Sequence, residues 1–246
     1  LENNMAQTNA KYKRVLVKLS GEALCENGSS GIDPAAVKTI AKELAAVAQS
    51  GVKVGVVVGA GNIIRGRDLA NTPDIENITA DYMGMVGTLI NALALRDTIC
   101  SCGVKSVVFS AIPIPLVCES YYRPGVLECL EEGKIVIFAG GTSHPGVTTD
   151  MCAAIRATEI QAEILLKATK VDGVYDSDPA VNPKAKKYES LTYEQAIAEK
   201  LGVMDLPAMA FSMDRNTPMM VFNMFKAGNL NAAVNGEKIG TIVTRK

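Results

Sequence analysis

A lysine stands inside an apolar run, Val15-Leu16-Val17-Lys18-Leu19, and Ser20-Gly21-Glu22 follows at once. An ammonium group in a buried strand is costly unless it reaches a partner or ligand at the strand's end. Strand alternation puts Lys18 on the same face as Ser20, and Gly21 lets an anion approach the backbone. A second segment, Gly59-Ala60-Gly61-Asn62-Ile63-Ile64-Arg65-Gly66, follows another apolar run. Free backbone N–H groups and a guanidinium suit an anion there, although a tight turn with a surface arginine fits the same residues. It is not a dinucleotide fingerprint, which needs Gly where Ile64 stands. Nor is it a P-loop, which needs Lys and then Ser or Thr where Arg67 and Asp68 stand. A third segment runs Ala139-Gly140-Gly141-Thr142-Ser143-His144-Pro145-Gly146-Val147-Thr148-Thr149-Asp150. Its last three residues are helix-cap types, but so long a run of Gly, Thr and Ser exceeds what a cap requires. The chemistry suggested is phosphate recognition without either common nucleotide loop.

The elements that must position these segments alternate. Val15–Leu19, Val52–Val58, Ser106–Phe109 and Ile135–Phe138 read as strands buried on both faces. Between the first two, Val37, Ile40, Ala41, Leu44 and Val47 make a helical stripe over Pro34–Gln49. Asp33 serves as N-cap, Pro34 as first residue and Gly51 as stop. Helices are predicted at Thr79–Cys100, Asp150–Ala162, Thr192–Leu201 and Asp205–Asn216, with Thr192 and Gln195 at capping-box spacing. Strands are predicted at Glu163–Ala168, Met219–Asn223 and Thr241–Thr244. This order predicts an α/β fold, a three-layer α/β/α sandwich on a mainly parallel sheet. Ligands of such sheets sit beyond the carboxyl ends of the strands, where the three Gly-rich segments fall.

The 246 residues suffice for one large domain or two modest lobes dividing near Gly140–Asp150. Residues 1–12 read as a disordered N-terminus, with Leu1–Asn4 a cloning remnant before Met5. A net charge of −1 argues against a nucleic-acid or membrane-surface binder. No signal-peptide core is seen and no apolar run reaches the ~18 residues of a membrane span, so the expected compartment is the cytoplasm. Cys25, Cys100, Cys102, Cys118, Cys129 and Cys152 form no Cys-x-x-Cys pair, and His144 is the single histidine, so zinc-site spacing is missing. No metal held directly by protein groups is expected. His144 alone reads more readily as a surface hydrogen-bonding group than as a catalyst.

Lys18-Leu19-Ser20-Gly21-Glu22-Ala23-Leu24, Gly61-Asn62, Arg65-Gly66, Asp81-Tyr82-Met83-Gly84-Met85 and Ser110-Ala111-Ile112-Pro113 resemble the bacterial UMP kinase family. So do Thr148-Thr149-Asp150, Lys167-Ala168-Thr169-Lys170-Val171-Asp172-Gly173-Val174-Tyr175, Asp178-Pro179 and Val203-Met204-Asp205-Leu206. The likeness runs in order from about Lys13 to Thr244. It implies the amino-acid-kinase fold as a single domain over residues 13–246, with an acceptor-side lobe to about residue 145 and an ATP-side lobe beyond. It implies transfer of the γ-phosphoryl of ATP to UMP with Mg²⁺, a homohexamer, UTP inhibition and GTP activation.

Carried over by position, the resemblance implies Lys18, Asp150, Arg65 and Lys167 as the catalytic set. It implies ATP contacts from Lys18, Leu19, Ser20, Gly21, Gly61, Arg65, Thr169, Tyr175 and Asp178. UMP would be held by Ala60, Asp81, Thr142, Ser143, His144, Pro145, Gly146, Val147, Thr148 and Thr149. The effector region would be Glu26, Asn27, Gly28, Ser29, Ser30 and Gly31. Two departures stand out. Ala60 replaces a usual Gly, placing a methyl at the acceptor loop. Ser143-His144-Pro145-Gly146-Val147 replaces Gly-Asn-Pro and two aromatics, removing apolar area near the expected UMP site.

A phosphate acceptor agrees with the shortage of general bases. The second pKa of a phosphate monoester is ~6, so its attacking oxygen is already mostly deprotonated at neutral pH. Two other readings stay open at this point: a related kinase acting on a carboxylate or carbamate, and a nucleotide-binding storage or regulatory protein without turnover.

Overall fold

The computed structural model describes residues 10–26, 28–64 and 74–245. Its strands are β1 (Arg14–Leu19), β2 (Lys53–Val58), β3 (Ser106–Ser110), β4 (Glu119–Ser120), β5 (Ile135–Ala139), β6 (Ile164–Thr169), β7 (Ser190–Thr192), β8 (Met219–Asn223) and β9 (Thr241–Thr244). They form one sheet in the order β4-β3-β5-β2-β1-β6-β8-β9-β7, parallel throughout except for β8 against β9. The helices are α1 (Pro34–Gln49), α2 (Asn77–Ser101), α3 (Arg123–Glu131), α4 (Thr149–Glu159), α5 (Tyr193–Ala198), α6 (Leu206–Asp214) and α7 (Asn229–Val234).

The strands sort their side chains onto two cores. Val15, Val17 and Leu19 of β1 and Ile164, Leu166 and Ala168 of β6 pack with α1, α2 and α7. Leu16 and Leu165 face the other way, onto α3, α4, α5 and α6. This is the expected three-layer sandwich. Period-two alternation then sends Lys18 and Lys167 to the α4 face, with Leu16 and Leu165. Both lysines therefore meet the start of α4.

Most predicted elements stand where the apolar periodicity put them. Asp33 caps α1, its Oδ1 accepting from Ala35 N–H at 2.9 Å. Among the described residues, β4, α3, β7, α7 and a 3-10 turn at Gly21–Leu24 were not foreseen. Three helices stop earlier than predicted, by one device. Gln161, Lys200 and Asn216 adopt left-handed backbone at φ 56°, 53° and 52°. The following N–H groups of Ala162, Leu201 and Thr217 then donate back to Ala157, Ala196 and Ser212 at 2.8, 3.0 and 3.0 Å. These are Schellman closures built without glycine. The capping box at α5 is half made: Thr192 Oγ1 accepts from Gln195 N–H, while the Gln195 side chain turns to Glu199.

One further expectation needs correction: residues 10–12, assigned to a disordered end, are described, and Tyr12 N–H donates to Val234 O at 3.1 Å. Helix α2, whose most apolar 18-residue window has a mean hydropathy of 1.3, matches a bilayer span by length and composition only. Its buried residues Leu89, Ala92, Leu95 and Ile99 lie in the core beside β3 and α1. The opposite side exposes Ile78, Tyr82, Val86 and Ile90.

Candidate active site

Lys18 and Lys167 are directly paired across the parallel β1–β6 ladder. Like charges facing each other in a sheet are destabilising, and Asp150 on the first turn of α4 answers both. Lys18 Nζ lies 2.8 Å from Asp150 Oδ1 and Lys167 Nζ 3.0 Å from Oδ2. Lys18 forms a close ion pair with Asp150, and Lys167 donates both to Asp150 and to Val203 O. The Asp150 side chain is 14 % exposed, and those of Lys18 and Lys167 are 10 % and 16 %. Burial works against ionisation of Asp150, but the charges of Lys18 and Lys167 together outweigh it and hold the carboxyl below its ordinary range. Burial, aided by the like charge of Lys18, pulls Lys167 below the usual lysine value against the raising influence of Asp150. The cluster carries a net charge of +1 at the tips of two central strands.

Asp150 is not the cap of its helix. Thr148 Oγ1 accepts from Met151 N–H at 3.1 Å, and the same hydroxyl donates to Asp205. Asp205 in turn caps α6 through Ala208 N–H at 2.9 Å. One hydroxyl thus ties the starts of α4 and α6 together and frees Asp150 for the lysines.

The turns after β1 and β2 are packed backbone to backbone. Gly59 N–H donates to Leu19 O at 2.9 Å. A Cβ on Gly21 would stand 2.4 Å from both Gly61 N and Asn62 Oδ1, so only glycine fits. Asn62 and Asn91 exchange side-chain hydrogen bonds at 3.0 and 2.7 Å. Asn91 also donates to Gly59 O at 2.8 Å, and Asn62 to Gly31 O at 2.7 Å. Asn91 is fully buried on α2, and sequence reading missed it. The signal was a polar residue on the apolar face of a helix, which demands a partner. The Ala60 methyl lies over Gly87 of α2: a Cβ built there would be 3.0 Å from it. Helix α2 thus accommodates the departure. Arg65 and Asn27 lie outside the described residues.

A cavity of about 370 Å³ reaches Thr148 and Thr149, next to Asp150 in the chain. Of the predicted acceptor residues, Ala60, Asp81, Val147, Thr148 and Thr149 line it; Glu22, Met85 and Thr88 line it without having been predicted in that role. Asp81 Oδ2 accepts from Gly146 N–H at 2.6 Å and fastens the acceptor loop to α2. His144 Nδ1 stays within its own loop, 2.8 Å from Thr142 O. Thr142, Ser143, His144, Pro145 and Gly146 are not in the cavity wall.

A second cavity of about 400 Å³ is lined by Tyr175 and Asp178 with Val171, Glu199 and Gly202. Thr169 is not in its wall. Its hydroxyl contacts Val171 O and Phe222 O, closing the end of β6. Asp178 Oδ1 also accepts from Ala180 N–H at 2.9 Å, an Asx turn. Of the predicted effector residues, Ser29 N–H donates to Glu26 O at 3.1 Å, and Gly31 N–H donates to Asn62 O at 2.7 Å, in the turn after β2.

Two cations and a carboxylate at parallel strand tips, with glycine turns around them and no Walker loop, define a phosphotransferase site on an α/β/α sandwich. The amino acid kinase family model matches residues 13–223, and the chain belongs to that family. It is similar to a UMP kinase from Bacillus anthracis, with 38% identity over 96% of this chain and 97% of that one and a TM-score of 0.92. A UMP kinase from Ureaplasma parvum matches at 36% identity over 94% and 98%, TM-score 0.88. A uridylate kinase from Archaeoglobus fulgidus matches at 29% identity over 94% and 99%, TM-score 0.71.

Proposed function

We propose that the chain is a UMP kinase that moves the γ-phosphoryl of ATP to the phosphate of UMP, giving UDP and ADP. The observation that carries the chemistry is the buried Lys18–Asp150–Lys167 cluster, whose Asp150 follows Thr148 and Thr149 of the 370 Å³ cavity wall in the chain. Near-full-length similarity to three UMP or uridylate kinases supports the acceptor. An oxygen of UMP attacks the γ-phosphorus while the bond to the β–γ bridging oxygen breaks and ADP leaves with the electron pair. No proton needs to move. The barrier falls by alignment and by neutralising charge in a loose transition state.

Lys18 and Lys167 offset the repulsion of two anions, with Arg65 as a third cation, and Asp150 orients both ammonium groups. The N–H groups around Leu19, Ser20, Gly21 and Gly61 cradle ATP phosphates. Thr169 shapes the strand end, and Tyr175 and Asp178 take the nucleoside half of ATP in the 400 Å³ cavity. The N-terminal lobe holds UMP through Ala60, Asp81 and the loop from Thr142 to Thr149; the C-terminal lobe holds ATP. Among the described residues no three His, Cys, Asp or Glu side chains gather as a metal cage, and Asp150 is committed to its lysines. Mg²⁺ would arrive on the phosphates of ATP and lend them charge neutralisation.

The exposed stripe Ile78, Tyr82, Val86 and Ile90 recurs every fourth residue on α2, a seam suited to a second copy of the helix. It supports the homo-oligomer, a hexamer by resemblance. UTP inhibition, GTP activation through Glu26–Gly31 and a cytoplasmic setting belong to the same reading. A coupled ADP-release assay with UMP, CMP, dUMP and acetylglutamate tests it. Turnover with UMP is expected; turnover with acetylglutamate alone, or none at all, would remove the proposal.

A further inference from the structure

Arg156 on α4 is 5 % exposed, a burial unusual for arginine. Its guanidinium carbon stacks 3.6 Å from the Tyr121 ring centroid and lies 5.7 Å from that of Phe138. Nη1 donates to Glu159 Oε2 at 2.7 Å, and the Tyr121 hydroxyl donates to the same oxygen. Nε has no partner among the described residues. Nη2 reaches 3.3 Å to the carbonyl of Gly141, which lines the 370 Å³ cavity.

A buried ion pair is weak evidence for stability, because an apolar replacement of the same shape often does as well. What such a replacement could not do is grip Gly141. The loop there is bent by left-handed backbone at Gly140, Gly141 and Ser143, with φ of 70°, 56° and 62°. Gly140 N–H is anchored on Thr88 Oγ1 at 2.8 Å, which fixes the peptide before Gly140. Arg156 fixes the peptide after Gly141. That peptide is planar and trans, so a carbonyl drawn toward Arg156 turns the Thr142 N–H the opposite way, away from the α4 core.

We infer that Arg156 is a positioning residue for the acceptor, holding the Gly141 peptide in place in the wall of the 370 Å³ cavity. This rests on the acceptor-side reading above. Neither Glu159 nor Tyr121 lines the 370 Å³ cavity; they hold the guanidinium in place.

The test compares Arg156→Met and Arg156→Lys with the wild-type chain in three measurements: KM for UMP and for ATP, melting temperature, and amide hydrogen exchange of residues 140–146. Loss of a hydrogen bond from a charged group should raise the UMP KM of Arg156→Met about tenfold or more while the ATP KM stays within about twofold. Exchange in the loop should quicken by a similar factor, and Lys, which keeps the charge but lacks the second donor arm, should recover part of the loss. If Met does not fold, Lys carries the comparison. Unchanged loop exchange overturns the inference, and so does an equal rise in both KM values with a lowered melting temperature. If the wild-type chain does not phosphorylate UMP, the parent reading fails separately, and loop exchange alone decides the role of Arg156.

Discussion

Asp150→Asn removes one charge from between two others and keeps the shape of the side chain. The wild-type carboxylate meets Lys18 at 2.8 Å and Lys167 at 3.0 Å with 14 % exposure, so screening is modest. At an effective dielectric of ~20, a unit-charge pair about 4 Å apart is worth ~4 kcal/mol. Removing one partner of a buried pair typically costs about 3–5 kcal/mol if the stranded charges persist. They need not persist, because burial already lowers the pKa of Lys167 and Asp150 is the largest influence raising it. The variant should therefore discharge Lys167 more readily, lose less stability than the pair energies suggest, and lose its cation instead. Removing one preorganised electrostatic group costs catalysis about 2.7–4 kcal/mol, so kcat at saturating ATP and UMP should fall about 10²–10³-fold. Helix α4 should survive, since Thr148 is its cap.

The pH dependence follows from the same two groups. The Asp150 carboxyl lies below its ordinary range when folded, so its contribution to stability is full above the unfolded value of ~3.9 and is lost as pH falls through the folded value. The Lys167 ammonium is also held low. Between its folded value and the unfolded ~10.4, the unfolded chain binds the extra proton, and stability rises with pH. Activity has the opposite trend there, because a neutral Lys167 cannot offset phosphate charge. The kcat/KM profile should thus lose its alkaline limb below the ordinary lysine range, and Asp150→Asn should move that limb to lower pH. Stopped assays from pH 6 to 10, beside urea melts, decide it. A variant within about threefold of wild-type kcat, or a limb displaced upward, would refute the reasoning, since the barrier argument requires the charge.

Other expectations are simpler. Gly21→Ala forces a Cβ to 2.4 Å from Gly61 N; overpacking of about 1–3 kcal/mol and a displaced phosphate turn should show as a raised ATP KM in steady-state kinetics. Asn91→Ala strips the buried Gly59 carbonyl and Asn62 amide of a partner, so urea melts should report a loss of about 1–3 kcal/mol. Val86→Glu puts a charge in the apolar stripe of α2, and sedimentation velocity should show smaller species than the wild-type chain gives. A wild-type chain that is monomeric would sink the oligomer reading.

How much of this was legible depended on whether a residue's environment was local. The strands and α1 were readable because apolar periodicity and the Asp33-Pro34 cap are short-range signals. The ends of α4, α5 and α6 were not, because Gln161, Lys200 and Asn216 close them where glycine is the usual mark. The short elements α3 and α7 carry too few residues for a periodic stripe to stand out. Lys18 announced itself as a charge in an apolar strand, but its pairing with Lys167 is a register between strands almost 150 residues apart in the chain. Residue types within a loop suggested an anion, and only the fold separated Val147 through Thr149, in the cavity wall, from Thr142 through Gly146, outside it. Asn91 and Arg156 were missed because each needs a partner from a distant segment to give it meaning.

The register carries a wider consequence. Two lysines facing each other across central strands oppose the sheet that contains them, and an apolar pair at β1 and β6 would pack without that cost. A carboxylate from α4 relieves the repulsion but is itself buried, so the cluster balances desolvation against attraction and leaves one positive charge in excess. A doubly charged phosphate array arriving at the strand tips supplies what the fold lacks. Ligand at the site therefore stabilises the folded chain by RT ln(1 + [L]/Kd). A neutral triple variant, Lys18→Met and Lys167→Met with Asp150→Leu, should melt at or above the wild-type temperature without ligand, yet gain nothing from ATP. A wild-type chain whose melting temperature is indifferent to ATP would show that the excess charge is not a phosphate site.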